Sequence, residues 1–350
     1  MSENKIQSNE IQSLIRDVLL KEGLDEFSSN AVADGLIHAS LRGVDSHGVR
    51  LFSHYLSALK NGRINNNPNM KFSQSNLSTG LLDADDAFGH AAGLKAIEYA
   101  IKLAKSSGMG SVSVKKSSHF GAASFFGLKI ADQDMLGFSF THSDPLIPPT
   151  FGKEPYLGNN PICFTAPGIN DQHFCLDMAT SIITFNKILH LREKKQEAPL
   201  GVGYDIDGIE TSDPNKIVSL APVGGYKGYG LSLMVEILCA LLSSMPFGPH
   251  VGNMYKDPIS KKRNLGHFFM AIDVNSFVEI SSFKNRLNEL LNELREQERI
   301  NPDIGIKVAG DNENIIFSER EKNGIPLDEE EKLIFLNLSK EYKLNLHFNK

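Results

Sequence analysis

The chain has 350 residues, with 36 Lys and Arg against 42 Asp and Glu and a formal net charge of −6. At about 100–200 residues per domain this is one large domain or two ordinary ones, well above the size at which a core becomes marginal. Hydrophobic residues at 41% and charged residues at 22% exclude a disordered or fibrous chain, and the mild acidity excludes a broad basic face for nucleic acid.

Cys163, Cys175 and Cys239 are the three cysteines; without C-x-x-C spacing they point to a reducing compartment. Residues 1–12 are polar and carry no apolar run of a signal peptide. Leu231–Met245 is the most apolar stretch, but Glu236 interrupts it. A bilayer span needs about 20 mostly apolar residues, so a cytoplasmic protein with no membrane partner is expected, and this stretch is expected to be a buried helix.

Ile11, Leu14, Ile15, Val18 and Leu19 follow the spacing of one apolar helical face, and Gly23 is placed to stop it. A second helix is predicted from Asp25 to about Leu41, with Phe27, Val32, Leu36 and Ile37 on its apolar face. Gly43 breaks it, the DSHG turn follows, and Arg50–Lys60 is helical again before the turn-rich NGRINNNPN.

The middle changes character. Ala91–Lys105 reads as a helix ended by Gly108 and Gly110, followed by strands at Ser111–Val114, Leu136–Thr141, Ile162–Thr165 and His173–Met178. A helix at Ala122–Asp132 separates the first two strands. The pattern favours an α/β domain with a mixed sheet. Tyr226–Ser244 is the expected buried helix and Gly266–Val274 a further strand. Phe283, Leu287, Leu290, Leu291 and Leu294 mark a late helical stripe, and Asp328 with Glu331 forms the capping pattern of the last helix. Helical ends around an α/β middle predict that the two termini pack together.

Several familiar motifs are missing. There is no G-x-x-x-x-G-K-[ST] loop, no G-x-S-x-G elbow and no metal-ligand spacing among the eleven histidines. Gly108-Met-Gly110-Ser-Val-Ser113 lacks the third glycine of a dinucleotide fingerprint and precedes a strand rather than following one. A standard Rossmann enzyme, a P-loop enzyme and a zinc hydrolase all lose ground.

Four segments gather polar residues at element ends. Arg42-Gly-Val-Asp45-Ser46-His47-Gly48-Val-Arg50 holds two guanidiniums, the groups best shaped to grip a carboxylate; Asp45 or Ser46 capping a helix is the plainer reading. Ser117-Ser118-His119-Phe120-Gly121 puts an imidazole at a strand end, where it suits acid/base work or simply bonds the backbone. Thr141-His142-Ser143-Asp144-Pro145 accompanies Leu157-Gly158-Asn159-Asn160-Pro161, with Asp144 able to orient an imidazole. Asp177-Met178-Ala179-Thr180-Ser181 accompanies Gly224-Gly225-Tyr226-Lys227-Gly228. There glycines before a helix allow an anion to approach its positive end, and Lys227 is either a phosphate contact or a solvated side chain.

Taken in order, LRGVDSHGVR, SSHFGAAS, LGNNPICFTAP, LDMATS, GGYKGYGLSLMVEIL, MPFGPHVGNMYKDP and NLGHFFMAID resemble the second type of malate/L-lactate dehydrogenase family, from about residue 35 to 275. The resemblance implies a non-Rossmann α/β fold: a cofactor domain over residues 76–275 and a helical domain from 1–75 with 276–350. It also implies a homodimer and a nicotinamide cofactor, NAD or NADP. His119 is then the acid/base, with Ser46 and His47 beside it. Arg50 and Asn160 are assigned to the substrate, although many members carry the arginine one position later, at Leu51 here. Cofactor contacts map to Ser143, Asp177, Met178, Ala179 and Lys227, and to Gly310, Asp311 and Asn312. His142 and Asn186 depart from the usual residues. Lys261, Lys262 and Arg263 either reach a 2′-phosphate or form a solvated basic turn.

The implied reaction is hydride transfer between C2 of a 2-hydroxy acid and nicotinamide. Asp144 is expected to stabilise the charged imidazole, and no metal is required. Reduction of a 2-imino acid is the alternative on the same geometry, and a catalytically silent binding protein is the alternative of another class.

Overall fold

The computed structural model describes residues 4–347. Strand β1 (Asn4–Ile6) leads into α1 (Ser8–Lys21) and α2 (Glu26–Leu41). α1 buries the five residues that the spacing marks, Ile11, Leu14, Ile15, Val18 and Leu19. α2 starts at Asp25, whose carboxylate accepts from Ser28 N at 2.9 Å. Phe27 leaves the expected apolar face: it is 42% exposed and lies beneath the Lys95 ammonium. Two 3-10 turns, Asp45–His47 and Val49–Leu51, carry the chain into α3 (Phe52–Lys60).

The hairpin of β2 (Lys71–Asn76) and β3 (Thr79–Asp83) follows, then α4 (Gly89–Ser107), β4 (Met109–Ser117), α5 (Ser124–Ala131) and β5 (Met135–Thr141). After β6 (Ile162–Ala166) and β7 (Phe174–Met178) come α6 (Phe185–Glu193), the short pair β8 (Gly203–Tyr204) and β9 (Ser219–Leu220), and α7 (Tyr226–Glu236). The last quarter holds β10 (Leu265–Asp273), α8 (Ile280–Arg295), α9 (Asp311–Asn323), β11 (Ile325–Leu327) and α10 (Glu329–Glu341).

Seven strands form the main sheet in the order β2-β3-β4-β10-β5-β6-β7. Only β3 and β4 run parallel in it; the other neighbours are antiparallel. A doubly wound nucleotide fold has a mostly parallel sheet, so this mixed sheet accounts for the absent glycine fingerprint. Gly108 closes α4 in the left-handed region at φ +82°, the helix-to-strand turn expected there. α4 lies close on β4 because its inward face is built of Ala92, Ala96, Ala100 and Ala104. A Cβ at Gly110 would come within 2.1 Å of the Ala100 carbonyl oxygen.

The two ends of the chain share one core. β1 pairs with β11 through Asn4 opposite Leu327 and Ile6 opposite Ile325. Phe52 of α3 stacks on Phe335 of α10 at 6.1 Å between centroids. Ile325, Leu327, Phe335 and Leu338 close the core that α1, α2 and α3 begin. Burial of each such side chain is worth about 1.5–3 kcal/mol. Asp328 and Glu331 form the reciprocal capping box of α10.

Two helices differ from expectation. α7 ends at Glu236 and continues as a π-helical turn, Ile237–Leu241. Val235, Cys239 and Ala240 face the sheet, while Met234, Ile237, Leu241 and Leu242 are 39%, 44%, 52% and 55% exposed. The segment is apolar nearly all round, which reads as burial, but a single chain covers only one side. In α8 the apolar stripe buries Leu291 alone, and Leu290 and Leu294 remain exposed.

Candidate active site

β4 delivers the second polar segment. Just past its end, Ser118 Oγ accepts from Gly89 N at 3.1 Å and donates to the Ala87 carbonyl at 3.2 Å, fixing the turn to the start of α4. His119 follows. Its Nδ1 is 2.6 Å from the hydroxyl of Tyr55 on α3, and its ring stacks on His47 at 5.5 Å between centroids. His47 is held in turn by Ser46, whose Oγ lies 2.8 Å from His47 Nδ1. Asp45 caps no helix; its carboxylate accepts from both terminal nitrogens of Arg320 on α9, at 2.5 and 3.0 Å.

Burial holds His119 well below the ordinary histidine range, and the neighbouring His47 and Arg263 push the same way. Burial alone takes His47 to about 4. Both rings are therefore neutral at pH 7. A tyrosine hydroxyl suits such a ring in either tautomer, because it can donate to a bare Nδ1 or accept from Nδ1–H. With Nδ1 engaged by Tyr55, Nε2 is the ring nitrogen that this hydrogen bond leaves free.

Ser46, His47 and His119 line a cavity of about 810 Å³, and so do Ser143, Asp177, Met178, Ala179, Gly310 and Asn312. The cavity lies where loops of the sheet meet the 3-10 turns and the start of α9. Ser143 is fixed by Asn159 Oδ1, which accepts from its hydroxyl at 2.9 Å. Asp177 accepts from Ser124 N at the start of α5, at 2.8 Å, and burial raises its pKa. The third and fourth segments also meet: Thr180 donates to the Asn159 carbonyl from its backbone N at 2.9 Å and from its hydroxyl at 3.0 Å.

Several expected site residues stand elsewhere. Asn160 is 0% exposed, absent from the cavity wall, and spends its amide inside the fold. Its Oδ1 accepts from Ser143 N at 3.1 Å, and its Nδ2 donates to the Ser232 carbonyl at 3.0 Å and to Glu236 Oε2 at 2.7 Å. In this arrangement Asn160 pins the Ser143 loop to α7 from behind the cavity wall. Asp144 does line the cavity, but its carboxylate accepts from Arg263 and from Met254 N. His119 Nδ1 is met by Tyr55, and the carboxylate of Asp144 is engaged by Arg263. Arg50 is off the cavity wall, with a half-exposed side chain 4.0 Å from Glu331. Asp311 is also off the wall and pairs with Arg295 at 2.8 Å. Lys227 is exposed at the start of α7, again off the wall.

The expected basic turn divides. Lys261 pairs with Asp257 at 2.9 Å and Lys262 with Asp86 at 3.3 Å, whereas Arg263 is 4% exposed and lines the cavity. Tyr55, which the sequence reading did not single out, joins the site through His119, and Arg263, read there as part of a basic turn, lies in the cavity wall. Tyr55 carried one signal: it lies on the helix that follows DSHG, eight positions past His47. Arg263 carried only the signal of the basic run it ends, in which nothing sets it apart from Lys261 and Lys262.

The wall residues fit a nicotinamide dinucleotide. Arg42, 6% exposed, lines the cavity with an Nε that has no partner, a cation placed for a phosphate. Gly310 adopts φ +97°, and a Cβ there would come within 3.3 Å of the Cys175 backbone, so the turn at the wall is one that glycine allows. Among the described residues no group of three His, Cys, Asp or Glu side chains is placed to hold a metal ion.

A mixed sheet thus gathers a neutral, hydroxyl-backed imidazole into a cavity of about 810 Å³, a setting in which a histidine can exchange a proton with a bound substrate. A family model described as malate/L-lactate dehydrogenase matches residues 6–333. The chain is 39% identical over 334 residues to a malate dehydrogenase of Pyrococcus abyssi, covering 92% of this chain and 91% of that protein. It is 38% identical over 291 residues to an L-sulfolactate dehydrogenase of Methanocaldococcus jannaschii, covering 82% and 83%. The crystal structure of malate dehydrogenase from Entamoeba histolytica superposes with a TM-score of 0.93 at 31% identity, covering 99% of each chain. The chain belongs to the malate/L-lactate dehydrogenase family and is a dehydrogenase.

Proposed function

We propose that the protein interconverts a 2-hydroxy acid and the 2-oxo acid, with NAD or NADP as the hydride carrier and His119 as the proton carrier. The observation that carries this reading is His119 itself: buried, neutral, held at Nδ1 by Tyr55 and set in the cavity wall. The bound nicotinamide supplies the acceptor or donor of the hydride at substrate C2. In oxidation Nε2 of His119 takes the hydroxyl proton as the hydride leaves C2; in reduction the same atom returns a proton to the forming alkoxide. Tyr55 keeps the ring in place through both protonation states. His47, stacked above, and Ser46 behind it shape the space in which the reacting carbon is held at attack distance.

Neutral His119 is required for oxidation and the imidazolium for reduction, so oxidation is favoured at the higher pH and reduction at the lower. Ser143, Asp177, Met178, Ala179, Gly310 and Asn312 are the cofactor side of the cavity in this reading. The test is a panel of 2-oxo acids offered with NADH and with NADPH. Consumption of one reduced cofactor by at least one acid is expected; inertness towards every acid with both cofactors refutes the assignment.

The same reading makes the protein a cytoplasmic homodimer. Among the described residues no helix is long and apolar enough to cross a membrane, and the exposed apolar side chains of α7 and its π-turn offer the surface for a second copy. Lys227 begins that face, so a contact from Lys227 to a cofactor phosphate is made across the dimer in this reading.

A further inference from the structure

One wall of the cavity holds a cation and an imidazole whose hydrogen bonds are not spent. Arg263 comes just ahead of β10 and His142 just after β5. These strands pair antiparallel with Thr141 opposite His267, so both residues leave the sheet at the same end. Both line the cavity, at 4% and 0% exposure. Asp144 accepts from Nη2 of Arg263, but Nε and Nη1 have no acceptor, and neither ring nitrogen of His142 has a partner. The Gly266 carbonyl is near enough to favour an imidazolium weakly yet not placed to hydrogen-bond. The Arg263 charge acts on His142 as well as on His119, so the three groups face a common space.

Buried donors left unpaired are costly and rare. Two side by side on a cavity wall are accounted for by an anion that enters the cavity. A guanidinium fixed on one side by a carboxylate presents its remaining N–H groups in a plane that matches carboxylate geometry. Arg50 offers nothing comparable, being half exposed beside Glu331, and the position after it is Leu51, an apolar part of the cavity wall.

We propose that Arg263 and His142 together bind the carboxylate of the substrate, Arg263 through its free N–H groups and His142 through a ring N–H. The assignment rests on the 2-hydroxy acid reading of the site. Asp144 is the positioning residue: it holds the guanidinium, and its second oxygen accepts from Met254 N at 2.7 Å, tying down the loop beside it.

The test uses Arg263→Gln, the charge-balanced double variant Asp144→Asn/Arg263→Gln, and His142→Leu. For each, KM and kcat are measured with the best 2-oxo acid, the Kd of NADH or NADPH by fluorescence, and the Kd of oxalate, an unreactive carboxylate, by calorimetry. Loss of a charge-assisted pair predicts that KM and the oxalate Kd rise roughly 30-fold or more in both Arg263 variants. His142→Leu raises them about fivefold. Cofactor Kd stays within about twofold, a split that a merely structural role would not produce. Wild-type KM and oxalate affinity in the Arg263 variants overturn the proposal, as does a rise in KM found only in Arg50→Ala. Equal loss of cofactor and oxalate binding in both Arg263 variants also overturns it, by making the residue structural. If the unaltered protein reduces 2-oxo acids while the variants keep its KM, this proposal alone fails. If the unaltered protein neither turns over a 2-oxo acid nor binds oxalate, the dehydrogenase reading fails with it.

Discussion

Around the cavity, His90, His142 and Arg263 are polar side chains shut away from water; along α7, Met234, Ile237, Leu241 and Leu242 are apolar side chains left in it. Each arrangement is unfavourable in an isolated chain. Polar groups without partners lose hydration that nothing replaces, and a contiguous apolar face is rare on a monomer unless something covers it. The two regions differ in what relieves the cost. The cavity is concave, and a small charged molecule suffices. The α7 face is open and laid along a helix, so a second protein surface is what would relieve it, the partner proposed above being another copy of the chain. The proposed chemistry and the proposed assembly thus rest on opposite departures from ordinary burial.

The largest effect is expected on the cavity side. His119→Ala removes the proposed proton carrier, and turnover should fall by about 10²–10⁴, while NADH or NADPH binding, followed by fluorescence, stays near its original value. Full activity in this variant would transfer the role to His47, the ring stacked on it. On the other side, Leu241→Glu with Leu242→Glu puts two charges on the exposed face. Sedimentation should show a dimer before the change and a monomer after it, with the circular dichroism of the fold retained. A monomer before the change would remove the dimer reading altogether.

The contrast also explains what could be read without coordinates. The face of α1 was legible because a one-sided apolar stripe has a period that only a helix fits, and the capping box of α10 because its two side chains are four residues of local chemistry. His119 and Ser46-His47 were legible as polar residues beside glycines at element ends, and their likeness to a known family gave them roles. The hairpin β2–β3 was not legible: β2 is an edge strand, mostly exposed, so no apolar alternation marks it. The hydrogen bonds of Asn160 and Asp144 to buried backbone were not legible, because a polar residue beside proline looks the same whether it meets a ligand or a buried backbone. Arg263 and α7 failed for one shared reason. Polarity belongs to the side chain, but environment belongs to the packing, and residues far apart in sequence decide it.

A subtler effect separates holding an imidazole from merely surrounding it. Tyr55→Phe keeps the ring packed against Phe88 and His90 but deletes the hydroxyl on His119 Nδ1. Turnover should drop by roughly tenfold with a displaced pH profile in at least one direction, and the cofactor Kd should be unchanged. Unchanged turnover with an unchanged profile would reduce Tyr55 to packing.

The smallest effect per group concerns stability in acid, and its sign follows from the same buried rings. His90, His142 and His267 are 0% exposed, and burial holds each at about 3, below the ordinary value of 6.5. Below pH 6.5 the unfolded chain binds protons at these positions and the folded chain does not, so stability falls as pH falls. Each ring contributes a slope of at most about 1.4 kcal/mol per pH unit, and the loss continues until the folded rings titrate near 3. Urea unfolding at pH 7.5, 6.5, 5.5 and 4.5 should therefore give a midpoint that is nearly level at the top of the range and declines ever more steeply below. Apolar burial carries no proton linkage, so Leu241→Glu/Leu242→Glu, measured as monomer against the unaltered protein, should change the height of that curve while leaving its onset below pH 6.5 in place. A midpoint that stayed level down to pH 5 would mean that the rings are protonated or hydrated in the folded chain, and that the cavity is far less dry than its packing indicates.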